Sequence, residues 1–121
     1  MKILIVDDSS MVRHMIIMQL ENLHAQNIHQ AEDGGSAYEF LITNPDTKLV
    51  LLDWNMPGET GFVILKKIKS NPDLKHIEVV MISTESNRKK MVAAMSAGAR
   101  DFLPKPFQPS TFKETIAPLL E

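Results

Sequence analysis

Acidic side chains and a lysine follow short apolar runs of the sequence. Asp7 and Asp8 follow the run KILIV, Asp53 follows LVLL, and Lys105 follows FLP. Carboxylates at the ends of buried runs are costly unless a cation pairs with them, and carboxylates held close together repel each other. Lys105 supplies one positive charge, so a divalent cation would complete the neutralisation. Because only oxygen ligands are on offer at these positions, Mg²⁺ is the expected ion and Mn²⁺ the alternative.

A metal ion beside a free carboxylate oxygen is also an arrangement for phosphoryl transfer. Aspartate can form an aspartyl phosphate, and the protein mainly positions the groups and neutralises the phosphoryl oxygens. Asp53 is the central carboxylate and therefore the candidate phosphoacceptor. Asp8 and Asp53 could bind the metal directly, with a backbone carbonyl of the following loop, and Asp7 through water. Lys105 and the hydroxyl of Ser83 would hold the phosphoryl oxygens.

The apolar runs predict an α/β fold in which five strands alternate with five helices. Parallel neighbours need a crossover connection, which places helices on both faces of the sheet. In such sheets the working site lies beyond the carboxyl ends of the strands, where the residues named above fall. The predicted strands are Lys2–Val6, Ile28–Ala31, Leu49–Leu52, Ile77–Ile82 and a short one at Phe102 and Leu103.

Apolar residues at helical spacing indicate one apolar face on each helix. The methionines are expected mainly to fill the core, with some at a partner surface. A last helix is expected from about Ser110 to Leu120. The apolar faces contain Val12, Met15, Ile16, Leu20 and Leu23 in the first helix, which Ser9 or Ser10 caps, and Met91, Val92 and Met95 in the fourth.

The fourth helix begins after a run of hydroxyl residues and opens with three basic side chains, RKK at 88–90. Positive charges in a first turn oppose the helix dipole, at roughly 0.3–1 kcal/mol each when exposed. An acidic partner would explain them, and so would screening by Glu85 and solvent. One hydroxyl of this run is expected to cap the helix, from among Ser83, Thr84 and Ser86.

Composition places the chain among ordinary globular domains. Its 121 residues carry a net charge of -2, with 44% hydrophobic and 23% charged residues. We therefore expect a single domain over residues 1–121, and the charge gives no reason to expect direct nucleic-acid binding. The N-terminus becomes acidic too early for a signal peptide, and no apolar run is long enough to insert in a membrane. A cytoplasmic protein is expected.

The ordered set of Asp7 and Asp8, Asp53 within DWNMPG, Ser83, and Lys105 before Pro106 resembles the receiver domain of two-component response regulators. It is most similar to the single-domain chemotaxis type, and the resemblance covers essentially the whole chain. It implies a flavodoxin-like fold with strand order 2-1-3-4-5. It also implies a cis bond between Lys105 and Pro106.

The same resemblance implies a function and roles for the site residues. Asp53 would accept a phosphoryl group from a histidine kinase or phosphotransfer protein, using Mg²⁺. The metal would be held by Asp8, Asp53 and the main-chain carbonyl of Asn55, with Asp7 in the outer sphere. Ser83 matches the family's hydroxyl residue and Phe102 its switch aromatic. A downstream protein would bind the face formed by helix 4, strand 5 and helix 5.

Two further positions in the family tune how fast the phosphoryl group is lost. Here they are Asn55 and Glu85, which implies a short-lived phosphorylated state. The expected protein is a switch that catalyses only its own phosphorylation and dephosphorylation. The alternatives are a receiver cut from a longer regulator with an output domain, an aspartate-nucleophile phosphatase, and a flavodoxin-like cofactor binder. Those phosphatases place a second Asp where this chain has Asn55.

Overall fold

A computed structural model describes residues 1–84 and 87–121. Five parallel strands form one sheet in the order β2-β1-β3-β4-β5, which confirms the predicted order. The strands are β1 (Lys2–Val6), β2 (Ile28–Ala31), β3 (Thr47–Asp53), β4 (Glu78–Ser83) and β5 (Asp101–Pro104). The helices are α1 (Ser10–Asn22), α2 (Gly34–Thr43), α3 (Gly61–Ser70), α4 (Arg88–Ser96) and α5 (Pro109–Ile116), and a 3-10 turn follows at Ala117–Leu120.

The sheet buries an apolar layer on each face. Successive side chains of a strand point to opposite faces, so Leu4 and Val6 join one layer while Ile3 and Ile5 join the other. Helices α2, α3 and α4 cover the first layer, and helices α1 and α5 cover the second. Coverage on both faces is why the central strands read as continuous apolar runs.

Short polar residues start the helices. The side chain of Ser9 accepts a hydrogen bond from the amide of Val12 and caps α1. Helix α4 is capped by Asn87, which accepts from the amide of Lys90. The prediction of a serine or threonine cap was therefore wrong for Ser83 and Thr84, because the helix begins further along the chain and Asn caps equally well. Ser86 lies outside the described residues.

Most of the methionines lie outside the core, contrary to the prediction. All eight lie in the described part of the chain, and of these Met56 and Met81 are buried. In α1 the buried residues are Ile16 and Leu20, and in α4 Ala94 is buried. The prediction of mainly core-filling methionines was wrong, because both helices turn other residues inward. The exposed large apolar side chains on these helices are Met11, Met15, Met18, Met91, Val92 and Met95.

The observed boundaries of some strands and helices differ slightly from the predicted ones. Strand β3 extends to Asp53, so the phosphoacceptor candidate is the last residue of its strand. The last helix is shorter than predicted, because α5 ends at Ile116 and the chain tightens into the 3-10 turn. Among the described residues, no helix combines the length and apolarity needed to cross a membrane.

The burial difference between adjacent residues of α1 gives a direct test of this packing. Ile16→Ala removes a buried side chain, so we expect it to lower the free energy of unfolding by about 2–5 kcal/mol. Met15→Ala removes an exposed side chain and should change it by less than about 1 kcal/mol. Urea unfolding followed by circular dichroism measures both. Equal losses would contradict the orientation of α1.

Candidate phosphoacceptor and metal site

Strand register brings the predicted site residues to one edge of the sheet. Val6 of β1 pairs with Leu52 of β3, so the following residues, Asp7 and Asp53, lie beside each other. Ser83 ends β4 and pairs with Pro104 of β5, and Lys105 comes next. Because all four strands are parallel, their carboxyl ends meet, as the sequence predicted.

Three carboxylates converge at this edge. Asp7, Asp8 and Asp53 each place one carboxylate oxygen within 4.8 Å of the others. Asp7 and Asp53 are buried, whereas Asp8 is exposed. The cluster is thus anchored in the sheet and open to solvent on the side of Asp8. Clustered carboxylate oxygens open to water suit a hard divalent cation that keeps several of its waters.

Lys105 is the ammonium that faces the buried carboxylates. Its Nζ lies 2.7 Å from Oδ2 of Asp7 and 3.3 Å from Oδ1 of Asp53. Its backbone amide donates to the carbonyl of Ser83 at 2.7 Å, which fixes the lysine to the end of β4. The Lys105–Pro106 peptide bond is cis. One ammonium held between two carboxylates leaves the three-carboxylate cluster with excess negative charge.

The electrostatics at Asp53 follow from its burial and from the neighbouring charges. Burial, together with the charge of Asp7, raises the pKa of Asp53 to about 6, against the opposing effect of Lys105. Burial alone would lower the pKa of Lys105, but its hydrogen bond with Asp7 and the charges of Asp53 and Asp7 outweigh burial and raise it. Lys105 therefore stays charged, and a further cation at this edge would favour the ionised form of Asp53.

The loop after Asp53 is held by side-chain and backbone hydrogen bonds and by one close backbone approach. The amide of Asn55 approaches Oδ1 of Asp53 at 3.4 Å, and its side-chain amide donates to Oγ1 of Thr84 at 3.4 Å. Gly61 returns to the strand, and its amide donates to the carbonyl of Trp54 at 2.9 Å. A Cβ at Gly61 would lie 2.0 Å from the carbonyl oxygen of Asp53. Only glycine permits this close approach.

The loop between β1 and α1 contains a contact that sequence reasoning missed. Asp7 accepts a hydrogen bond from the amide of Ser9 at 2.8 Å. Arg13 donates from one guanidinium nitrogen to the carbonyl of Asp7 and from Nε to the side chain of Gln30, the latter at 2.9 Å. Arg13 thus ties the first turn of α1 to the ends of β1 and β2. In the sequence, Arg13 lies one helical turn after the cap residue Ser9, and this spacing is the signal that could have found the contact.

The two predicted switch residues are both buried. Ser83 ends β4 with no exposed surface, on the same edge as Asp53. Phe102 is 6% exposed and makes an edge-to-face contact with Trp54, with ring centroids 6.3 Å apart. The ring of Phe102 therefore already lies inside. Glu85, predicted to tune dephosphorylation, lies outside the described residues.

Trp54 was not singled out from the sequence, although it follows Asp53 directly. Its indole stacks on Phe62 of α3, with centroids 4.9 Å apart and planes 8° apart. Lys90 of α4 places its Nζ 5.1 Å from the indole centroid. The residue next to the candidate phosphoacceptor thus contacts α3, α4 and β5. A large aromatic side chain at the end of a buried strand was the signal that could have found it.

The geometry and the chain's relatives agree on its class. The family model for the response regulator receiver domain matches residues 3–117. The chain belongs to this family and has the receiver domain of a two-component response regulator. A sequence relative is the chemotaxis protein CheY1 of Helicobacter pylori, 39% identical over 120 residues that cover 99% of this chain and 97% of the relative.

Solved structures give the same fold. The chemotaxis protein CheY4 of Vibrio cholerae matches with a TM-score of 0.87 and 30% identity, covering 98% of each chain. The Mn²⁺-bound form of response regulator Rcp1 matches with a TM-score of 0.84 and 28% identity, covering 98% of this chain and 94% of that one. The resemblance to chemotaxis-type receivers and the flavodoxin-like fold are thereby confirmed.

The raised pKa of Asp53 makes stability depend on pH. The folded chain binds this proton more tightly than the unfolded chain, whose Asp titrates near its ordinary value of 3.8. Wild-type stability should therefore fall as pH rises from about 4 to about 6, and stay reduced above that. The side chain of the Asp53→Asn variant does not titrate, so the variant should not lose stability over this pH range. We expect the variant to exceed wild type at pH 8 by on the order of 1–3 kcal/mol, with little gain near pH 4.

Urea unfolding in EDTA at several pH values measures this difference without bound metal. Asp73→Asn is a matched control, because Asp73 is an exposed aspartate outside the carboxylate cluster. A stability gain for Asp53→Asn that is the same at pH 4 and pH 8 would contradict the proposed crowding.

Proposed function

We propose that residues 1–121 act as a single receiver domain that is phosphorylated on Asp53 by a histidine kinase or phosphotransfer protein in the presence of Mg²⁺. The observation that carries this proposal is the cluster of Asp7, Asp8 and Asp53 beside Lys105 at the carboxyl edge of the sheet. Membership of the receiver family supports it. The phosphorylated form would signal through a changed partner-binding surface.

The residues at this edge fit a hard divalent cation. Asp8, Asp53 and the main-chain carbonyl of Asn55 would hold it, with Asp7 in the outer sphere. Three carboxylates facing one ammonium, and the raised pKa of Asp53, support this assignment. When bound, the ion supplies charge neutralisation for the phosphoryl oxygens. The likeness to a Mn²⁺-bound response regulator also supports Mg²⁺ or Mn²⁺ as the cofactor.

Asp53 is the nucleophile of the proposed reaction. A carboxylate oxygen of Asp53 forms a bond to phosphorus while the bond to the donor's histidine nitrogen breaks. Lys105 is positioned by Asp7 and Asp53 to neutralise one phosphoryl oxygen. Ser83, at the end of the neighbouring strand, would donate to another. Each of these groups comes from a rigid strand end, which favours preorganisation.

The signalling surface is proposed to be the face formed by α4, β5 and α5. Helix α4 exposes Met91, Val92 and Met95, an apolar strip beside its basic first turn. No acidic residue occupies that first turn within the described helix. A downstream protein segment that combines acidic and apolar side chains would complement this face. Phosphorylation and partner binding would then favour each other by linkage.

Acetyl phosphate provides a test of phosphorylation without the cognate kinase. Incubation with acetyl phosphate and Mg²⁺ should give a phosphate-sized mass gain in the intact native protein. Asp53→Asn should abolish the gain, because the nucleophile is lost. Asp73→Asn should retain it, because Asp73 lies outside the site. A gain that persists in Asp53→Asn, or multiple turnover on phosphate esters, would contradict the proposed switch.

The phosphorylated state is proposed to be short-lived, as Asn55 and Glu85 imply for this family. After removal of acetyl phosphate, the mass gain should decay within minutes at room temperature. EDTA should slow the decay, because hydrolysis uses the same divalent ion. Persistence for hours in the presence of Mg²⁺ would contradict the assignment of these two positions.

A further inference from the structure

Lys90 contacts the residue that follows the candidate phosphoacceptor. It lies in the first turn of α4, is half-buried, and places its ammonium over the face of Trp54 at 5.1 Å from the ring centroid. Trp54 itself is only 9% exposed. An ammonium over an indole is attracted by the negative face of the ring, and the attraction strengthens as the pair is shielded from water.

The indole is held firmly on its other sides. Phe62 of α3 stacks on it, and Phe102 of β5 contacts its edge. The backbone amide of Trp54 donates to the carbonyl of Ile82 at 2.9 Å, which fixes the residue to β4. A cation bound to this ring is therefore tied to the strand ends of the site rather than to a mobile side chain.

Helix α4 buries little apolar surface along its described length. Ala94 is the buried residue of its described length, while Met91, Val92 and Met95 face outward. Its first turn carries three basic residues, which the helix dipole disfavours. The face of Trp54 gives one of these charges a favourable partner. The contact therefore offsets part of the unfavourable interaction between the basic residues and the helix dipole, and it holds the first turn of α4 against Trp54.

We propose that Lys90 is a positioning residue that couples the state of Asp53 to the orientation of α4. Its ammonium on Trp54 fixes the first turn of α4 against the loop that follows Asp53. Phosphorylation places about -1.5 to -2 charges one residue before Trp54. That charge attracts the same ammonium, so the contact and the exposed face of α4 shift together. This inference rests on the proposed phosphorylation of Asp53.

Three variants separate coupling from ordinary surface packing. Lys90→Met keeps an unbranched apolar stem of similar reach and removes the charge. Lys90→Arg keeps a cation that also stacks on aromatic faces. Lys89→Met removes a charge from the same helical turn at an exposed position and is the matched control. Thermal unfolding followed by circular dichroism verifies that all three are folded.

The first measurement uses the unphosphorylated protein. Hydrogen exchange at the start of α4 should be about two- to fivefold faster in Lys90→Met, the change expected from losing one partly exposed cation–π contact. The indole of Trp54, the single tryptophan, should become more accessible to acrylamide, which is measured by the quenching of its fluorescence. Lys90→Arg should restore both values, and Lys89→Met should resemble wild type. Hydrogen exchange and quenching that are unchanged in Lys90→Met would overturn the claim that this contact holds the first turn of α4.

The second measurement adds acetyl phosphate and Mg²⁺, with phosphorylation recorded separately by intact mass. Lys90→Met should be phosphorylated to the wild-type extent, yet lose at least about half of the phosphorylation-dependent changes in Trp54 fluorescence and α4 exchange. A full response in Lys90→Met would overturn the coupling alone. A wild-type protein that gains no mass would overturn the proposed function and the coupling together, while the first measurement still decides the contact.

Discussion

The repulsion among carboxylates held at one sheet edge constrains the rest of this structure. Strand pairing places Asp7 directly beside Asp53, and neither backbone can move away without breaking the ladder between β1 and β3. Lys105 relieves part of the repulsion, but burial still raises the pKa of Asp53 to about 6. The apolar layers on both faces of the sheet stabilise the fold sufficiently to maintain this unfavourable site.

The sheet and its site were largely predictable because both follow from simple patterns. Continuous apolar runs indicate the strands, and the rule that parallel strands share a carboxyl edge predicts that Asp53, Ser83 and Lys105 lie together. Register then explains the finer geometry: Asp7 is the neighbour of Asp53 because each follows a paired residue. The ligand roles of Asp8 and the Asn55 carbonyl remain predictions.

Helix faces were harder to predict, for a physical reason. Helix α1 carries apolar residues around most of its circumference, including Met11, Met15 and Met18 on the exposed side. Periodicity cannot choose between Met15 and Ile16 when both faces are apolar. The contacts of Arg13 with Gln30 and of Lys90 with Trp54 join elements distant in sequence. Such contacts depend on tertiary placement, which local patterns do not encode.

Helix α4 buries little apolar area and lies beside the site, so a change of charge at the site can shift its position. Its described length buries Ala94, whereas α3 buries Ile64, Leu65 and Ile68. An element with little buried apolar area can reorient at low free-energy cost, so a local charge change can shift its position. The same outward-facing side chains that contribute little to the core would provide apolar area for the proposed partner. A partner that binds only one orientation of α4 would thereby also bias the state of Asp53.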